Sequence, residues 1–229
     1  MHLIKLILLF FTISLSSLDS LAIDTKAKQA VVIDFDTKAE QAIVMDYDTN
    51  EVLFEKNSNI KVPPASMTKI MTVFVAFDRI ENTNLSITDK CVISAKSYKM
   101  GGSRTFLEID EYVTIDDLLR GIIIQSGNDA SIALAECLAG TEDDFSKLMN
   151  VYAGKLNMSN TNFLNASGWP VDNHYSTVYD LALLSNALIK NFPNLYIYFA
   201  EKEFTYNDIK QPNRNKLLNT VVGVDGLKI

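Results

Sequence analysis

A serine followed three residues later by a lysine, Ser66-Met67-Thr68-Lys69, is the pairing in this chain best suited to covalent chemistry. A serine hydroxyl is a poor nucleophile until a base lies within hydrogen-bond reach. In the first turn of a helix, residues three apart share a face, so Ser66 Oγ and Lys69 Nζ can meet. Lysine ordinarily titrates near 10.4, so acting as a base near neutral pH requires a drop of roughly three units, about 4 kcal/mol. Burial and a neighbouring positive charge can supply it, and the helix N-terminus favours negative charge developing at Ser66. The same spacing recurs in Ser58-Asn59-Ile60-Lys61, inside a polar loop ahead of Pro63-Pro64, but only Ser66 leads into an apolar helix. A second constellation is Ser126-Gly127-Asn128. It reads either as an ordinary helix cap or as a proton relay, with Ser126 beside Lys69 and Asn128 hydrogen-bonding a substrate amide. A third is Val224-Asp225-Gly226-Leu227-Lys228, followed only by Ile229.

These residues need elements to hold them. Ile70 to Phe77 is almost wholly apolar, the pattern of a helix buried on all sides. Ala42 to Tyr47 and Val52 to Lys56 flank the turn residues 48–51 and predict a hairpin. Thr114 with Asp117, Thr141 with Asp144, and Thr177 with Asp180 are capping boxes that start helices. A helix is expected from Ala130 to Leu138, and strands over Glu203 to Ile209 and Thr220 to Ile229. Strands first, helices in the middle and strands last predict an α+β fold, with an antiparallel sheet closed by both chain ends and packed with helices. Residues 26–37 are a tandem near-copy of residues 38–49, a local duplication of one strand and its turn rather than a solenoid. The first copy, Ala30 to Phe35, is expected to add itself beside Ala42 to Tyr47 and cover an open edge.

S-x-x-K, S-x-N and a late lysine, in that order, form the signature of penicillin-binding proteins and class A β-lactamases. The resemblance extends to Pro63 through Thr72, Gly101-Gly102-Ser103-Arg104, Gly121 to Ala130, His174-Tyr175-Ser176-Thr177 and Gln211 to Asn215. Over residues 40–229 the chain resembles low-molecular-mass penicillin-binding proteins, the serine-type D-alanyl-D-alanine carboxypeptidases. That resemblance implies a penicillin-binding transpeptidase/β-lactamase-like fold and an acyl-enzyme mechanism on peptidoglycan stem peptides ending in D-Ala-D-Ala. Ser66 is implied as nucleophile, Lys69 as its base, Ser126 as the relay to the leaving amine, Asn128 as a substrate-amide contact and Lys228 as the partner of the terminal carboxylate. β-Lactams are implied as inhibitors that trap the serine. Against the family pattern, Asp110 stands where glycine is usual, and the Thr-Gly, final sheet strands, second domain and anchoring helix that the family carries after Lys228 are expected to be absent. Residues 23–229 are thus expected to be a C-terminally truncated catalytic domain with little turnover, lacking one oxyanion donor. Two other readings stay open: a β-lactamase, and a catalytically inactive peptidoglycan-binding remnant.

Composition narrows the remaining classes. The net charge of −7 without a basic run speaks against nucleic acid as a partner. No metal or cofactor is expected: past residue 22 the chain holds one histidine, His174, and neither a C-x-x-C framework nor a phosphate-binding glycine loop. Residues 1–22 read as a signal peptide, with Lys5, an apolar stretch from Leu6 to Leu15, and a Ser20-Leu21-Ala22 cleavage site. The alternative is an uncleaved anchor. No later segment could span a membrane, so the mature chain is expected to be exported to the periplasm or cell envelope. Cys91 and Cys137 are expected to be two buried free thiols.

Overall fold

The computed structural model describes residues 6–8 and 37–227. The expected leader other than residues 6–8, the first repeat copy up to residue 36, Lys228 and Ile229 lie outside the described residues. One helix, α1 (Thr68–Asn82), forms the axis of the core, with every residue from Thr68 to Phe77 buried. Around it pack α3 (Ile115–Gln125), α4 (Asn128–Ala139), α5 (Glu142–Lys155) and α6 (Val178–Asn191). Phe74 contributes edge-on contacts to Tyr152 of α5 and to Phe192 just beyond α6, with ring centroids 5.8 and 5.1 Å apart. Each such buried side chain stabilises the fold by about 1.5–3 kcal/mol, which is why a continuous apolar run sits at the centre. The three capping boxes hold. The hydroxyls of Thr114, Thr141 and Thr177 accept from the backbone N–H groups of Asp117, Asp144 and Asp180 and start α3, α5 and α6.

The strands are antiparallel and fall into three small sheets. In the first, β2 (Ala42–Asp46) pairs with β3 (Val52–Lys56) as the predicted hairpin, and α6 covers Ile43 and Met45. The other edge of β2 is taken by β1 (Leu6–Leu8), in register Leu6 with Asp46. This is the edge at which Ala30 to Phe35 was expected; those residues lie outside the described ones, and a three-residue strand from the apolar N-terminal stretch pairs there. β4 (Lys90–Val92) pairs with β5 (Tyr112–Thr114), with the short α2 (Ala95–Lys99) between them in sequence. Asp110 precedes β5 at φ +63, the left-handed conformation that makes glycine usual there.

Two expectations for the C-terminal part are corrected. Glu203 to Ile209 is not one strand but the start of a hairpin, β6 (Glu203–Tyr206) and β7 (Ile209–Pro212). Asn207 and Asp208 at its tip both take positive φ, the two-residue turn that suits a right-twisted hairpin. Thr220 to Ile229 is not a strand over its described part. α7 (Leu217–Thr220) is followed by turn, with Gly223 and Gly226 at positive φ. The β6–β7 hairpin stands apart from the first sheet, so the described residues form no single sheet closed by both chain ends.

The cysteines are also corrected. β4 packs against the far end of α4, which brings the Cα atoms of Cys91 and Cys137 to 5.5 Å, and the two form a disulfide. Such proximity comes from tertiary packing, which the spacing of two cysteines in sequence does not encode. The closed loop has a sequence separation of 46. A Cys91→Ala/Cys137→Ala variant is therefore expected to lose about 2–4 kcal/mol of stability. Urea unfolding of the wild type with and without reductant checks this. Identical transitions under both conditions would contradict it.

Candidate active site

Ser66 sits in a 3₁₀ turn, Ala65–Met67, that Pro63-Pro64 forces ahead of α1. Lys69, in the first turn of α1, is 0% exposed. Its Nζ lies 3.2 Å from Ser66 Oγ and 2.7 Å from the Ser167 carbonyl. Burial, helped by the positive charge of Arg214, lowers Lys69 from its ordinary 10.5 to about 7, with Asp129 opposing the drop. A neutral amine can donate to the Ser167 carbonyl and still present its lone pair to the Ser66 hydroxyl. The arrangement is therefore a serine with an adjacent base poised near neutrality. At the rival match, Ser58 Oγ donates to Glu55 and the Lys61 ammonium lies over the Tyr175 ring, so that pair is not assembled.

Ser126 caps α3 in the left-handed conformation, φ +61 and ψ +37. Its side chain is almost wholly buried, yet its Oγ has no hydrogen-bond partner among the described residues. A buried hydroxyl without a protein partner is free to hydrogen-bond a water or a substrate group. Asn128 opens α4. Its Nδ2 donates to the Gly101 carbonyl and its backbone N–H to the Ser103 carbonyl. That leaves Oδ1 as the acceptor its side chain can offer an amide N–H. The next residue, Asp129, is fully buried and accepts from the backbone N–H groups of Thr105, Phe106 and Ala130, tying the Gly101–Leu107 segment to α4.

A family model described as D-alanyl-D-alanine carboxypeptidase, peptidase S11, matches residues 24–229. The chain belongs to this family. It is 43% identical over 185 residues to the D-alanyl-D-alanine carboxypeptidase DacC of Escherichia coli, a match covering 78% of this chain and 46% of that protein. The crystal structure of penicillin binding protein 5 from Haemophilus influenzae superposes with a TM-score of 0.82 at 36% identity, covering 86% of this chain and 59% of that one. Penicillin-binding protein D2 from Listeria monocytogenes, in its ampicillin-bound form, gives a TM-score of 0.75 at 32% identity, covering 86% and 80%. The chain spans about half the length of the curated relatives it matches.

In this carboxypeptidase-family chain, the S-x-x-K pair depends on a loop that motif reading passes over. Ala166 is held from both sides, its N–H by Glu142 Oε1 and its carbonyl by Thr72 Oγ1. His174 accepts the Leu164 N–H at Nδ1, so its proton is on Nε2, facing Thr68 Oγ1 at 2.8 Å. Burial lowers its pKa. It ties the loop to the start of α1. Arg214 is brought to the end of α3 by its N–H on the Ile124 carbonyl. Only a signal in the Gln211 to Asn215 motif marked that segment, and nothing in sequence marked its charge as bearing on Lys69. Lys228 is outside the described residues. The chain just before it is anchored, with Leu227 buried and Asp225 accepting from Tyr196 at 3.0 Å.

Gly168 closes the arrangement. It takes φ +80, and a Cβ there would lie 1.8 Å from the Ala65 carbonyl oxygen, inside the turn that carries Ser66. Gly140 takes a similar φ of +81 with open space around it. Gly140→Ala should cost about 1 kcal/mol, the backbone strain alone. Gly168→Ala should cost at least twice as much, because the Ser66 turn must move. Urea denaturation of the two variants compares them, and equal losses would contradict the close approach.

Proposed function

We propose that the chain carries the acylation chemistry of a serine-type D-Ala-D-Ala carboxypeptidase acting on peptidoglycan stem peptides. The observation that carries this reading is the buried Lys69 amine, lowered to about 7 and 3.2 Å from the Ser66 hydroxyl. Ser66 Oγ attacks the carbonyl carbon of the penultimate D-alanine while its proton passes to Lys69. The C–N bond then breaks, and Ser126 hands a proton from Lys69 to the departing amine of the terminal D-alanine. Its buried, unpartnered hydroxyl supports that role. Asn128 accepts from the substrate amide, and Lys228 pairs with the terminal carboxylate. Water, deprotonated by the same lysine, hydrolyses the ester and frees Ser66.

The strained amide of a β-lactam would be opened by the same attack, leaving an ester on Ser66. The ampicillin-bound relative supports β-lactams as ligands. We also propose export to the cell envelope, because the Cys91–Cys137 disulfide persists in an oxidising compartment. No helix among the described residues is long and apolar enough to cross a membrane.

The test is intact mass after exposure to a labelled penicillin. One adduct is expected, abolished by Ser66→Ala and retained by Ser58→Ala. An adduct that survives Ser66→Ala would refute the assignment.

A further inference from the structure

Trp169 is the sole tryptophan of the chain. The residue is 47% exposed, unusual for so large an apolar side chain. Its backbone is nonetheless fixed, with its N–H donating to Asn165 Oδ1 at 3.0 Å and its carbonyl accepting from Asn165 Nδ2 at 2.9 Å. Two independent contacts place it. On one side it directly follows Gly168, which lies against the Ala65 carbonyl beside Ser66. On the other, its indole flanks Gly101 and Gly102. A Cβ built on Gly102 would meet Trp169 Cζ3 at 3.3 Å and Asn128 Nδ2 at 2.7 Å. The indole and the Asn128 amide thus border the same residue.

We propose that Trp169 is a specificity-determining wall of the acylation cleft, stacking against the apolar acyl group attached to the amide that Asn128 holds. The inference rests on the acyl-enzyme reading above and adds the class of group the site prefers. In a penicillin that group is the 6-acylamino substituent. In a stem peptide it is the aliphatic stem of the diamino-acid residue preceding the D-Ala pair. Asn128 reads the amide, which every such ligand shares, so it cannot distinguish one acyl group from another. A fixed, half-exposed indole beside it can, because an exposed aromatic face gains most from flat or apolar partners. The glycines at 101 and 102 leave the indole edge uncovered, and a side chain at Gly102 would enter the space between Trp169 and Asn128.

The experiment compares benzylpenicillin, which carries a phenylacetyl group, with 6-aminopenicillanic acid, which carries none. Acylation of Ser66 is followed by mass, and the emission of the single tryptophan is followed in parallel. In the wild type, benzylpenicillin should change the emission clearly and 6-aminopenicillanic acid far less. Trp169→Ala should slow acylation by benzylpenicillin about tenfold while changing the 6-aminopenicillanic acid rate less than about twofold, and Trp169→Phe should restore most of the loss. Equal slowing of both compounds, or of neither, overturns the inference while leaving acylation at Ser66 intact. No adduct with either compound in the wild type overturns the acyl-enzyme reading, and the inference with it.

Discussion

The burial of one amine organises this molecule. Lys69 lies wholly inside the protein, and burial is the main reason it is lowered from 10.5 to about 7. That shift corresponds to a cost of about 5 kcal/mol at pH values where the unfolded chain holds the proton and the folded chain must also hold it. The folded pKa is the lower of the two. The cost is therefore full below about pH 7 and disappears as pH rises towards 10.5, so this group makes stability increase with pH across that window. A cost of this size is comparable to the whole net stability of many domains. The largely apolar run Ile70 to Phe77 of α1, its aromatic neighbours and the disulfide between β4 and α4 offset it.

Three segments far apart in sequence are held by hydrogen bonds of their backbone, two of them to side chains and one to a backbone carbonyl. Asp129 fixes the Gly101–Leu107 segment against α4. Glu142, Thr72 and His174 fix the loop that offers the Ser167 carbonyl to Lys69. The Ile124 carbonyl fixes Arg214 near the end of α3. Each is a polar group satisfied in the interior, so displacing any of them exposes an unpaired donor or acceptor. Such support holds the Ser66–Lys69 pair and the start of α4 in fixed local geometry, of the kind pre-organised chemistry uses.

Local signals were the legible part. The capping threonines, the buried run Ile70 to Phe77 and the hairpin from Ala42 act over a few residues, and the sequence carries them intact. The preference for Ser66 over Ser58 follows from the helix behind it, and the geometry agrees: only Ser66 has its lysine within reach. What stayed hidden depends on packing between distant segments. The Cys91–Cys137 bond, the loop from Phe163 to Trp169 and the influence of Arg214 on Lys69 have no local pattern. The Asn207-Asp208 turn is a local signal too, but the β-prone residues on both sides of it favour one continuous strand. The strand expected after Thr220 failed because Gly223 and Gly226 take backbone conformations that an extended run does not use.

In the proposed mechanism Lys69 meets Ser66 as a neutral base because of where the fold buries it. The pH dependence of the acylation rate by a penicillin, from about pH 5.5 to about pH 9, tests this most directly. The rate should rise with a midpoint near 7 and then level off. Arg214→Gln removes a positive charge that disfavours the ammonium, so its midpoint should move to higher pH. A wild-type profile that is flat through this range, or an Arg214→Gln midpoint that stays put or falls, would contradict the account.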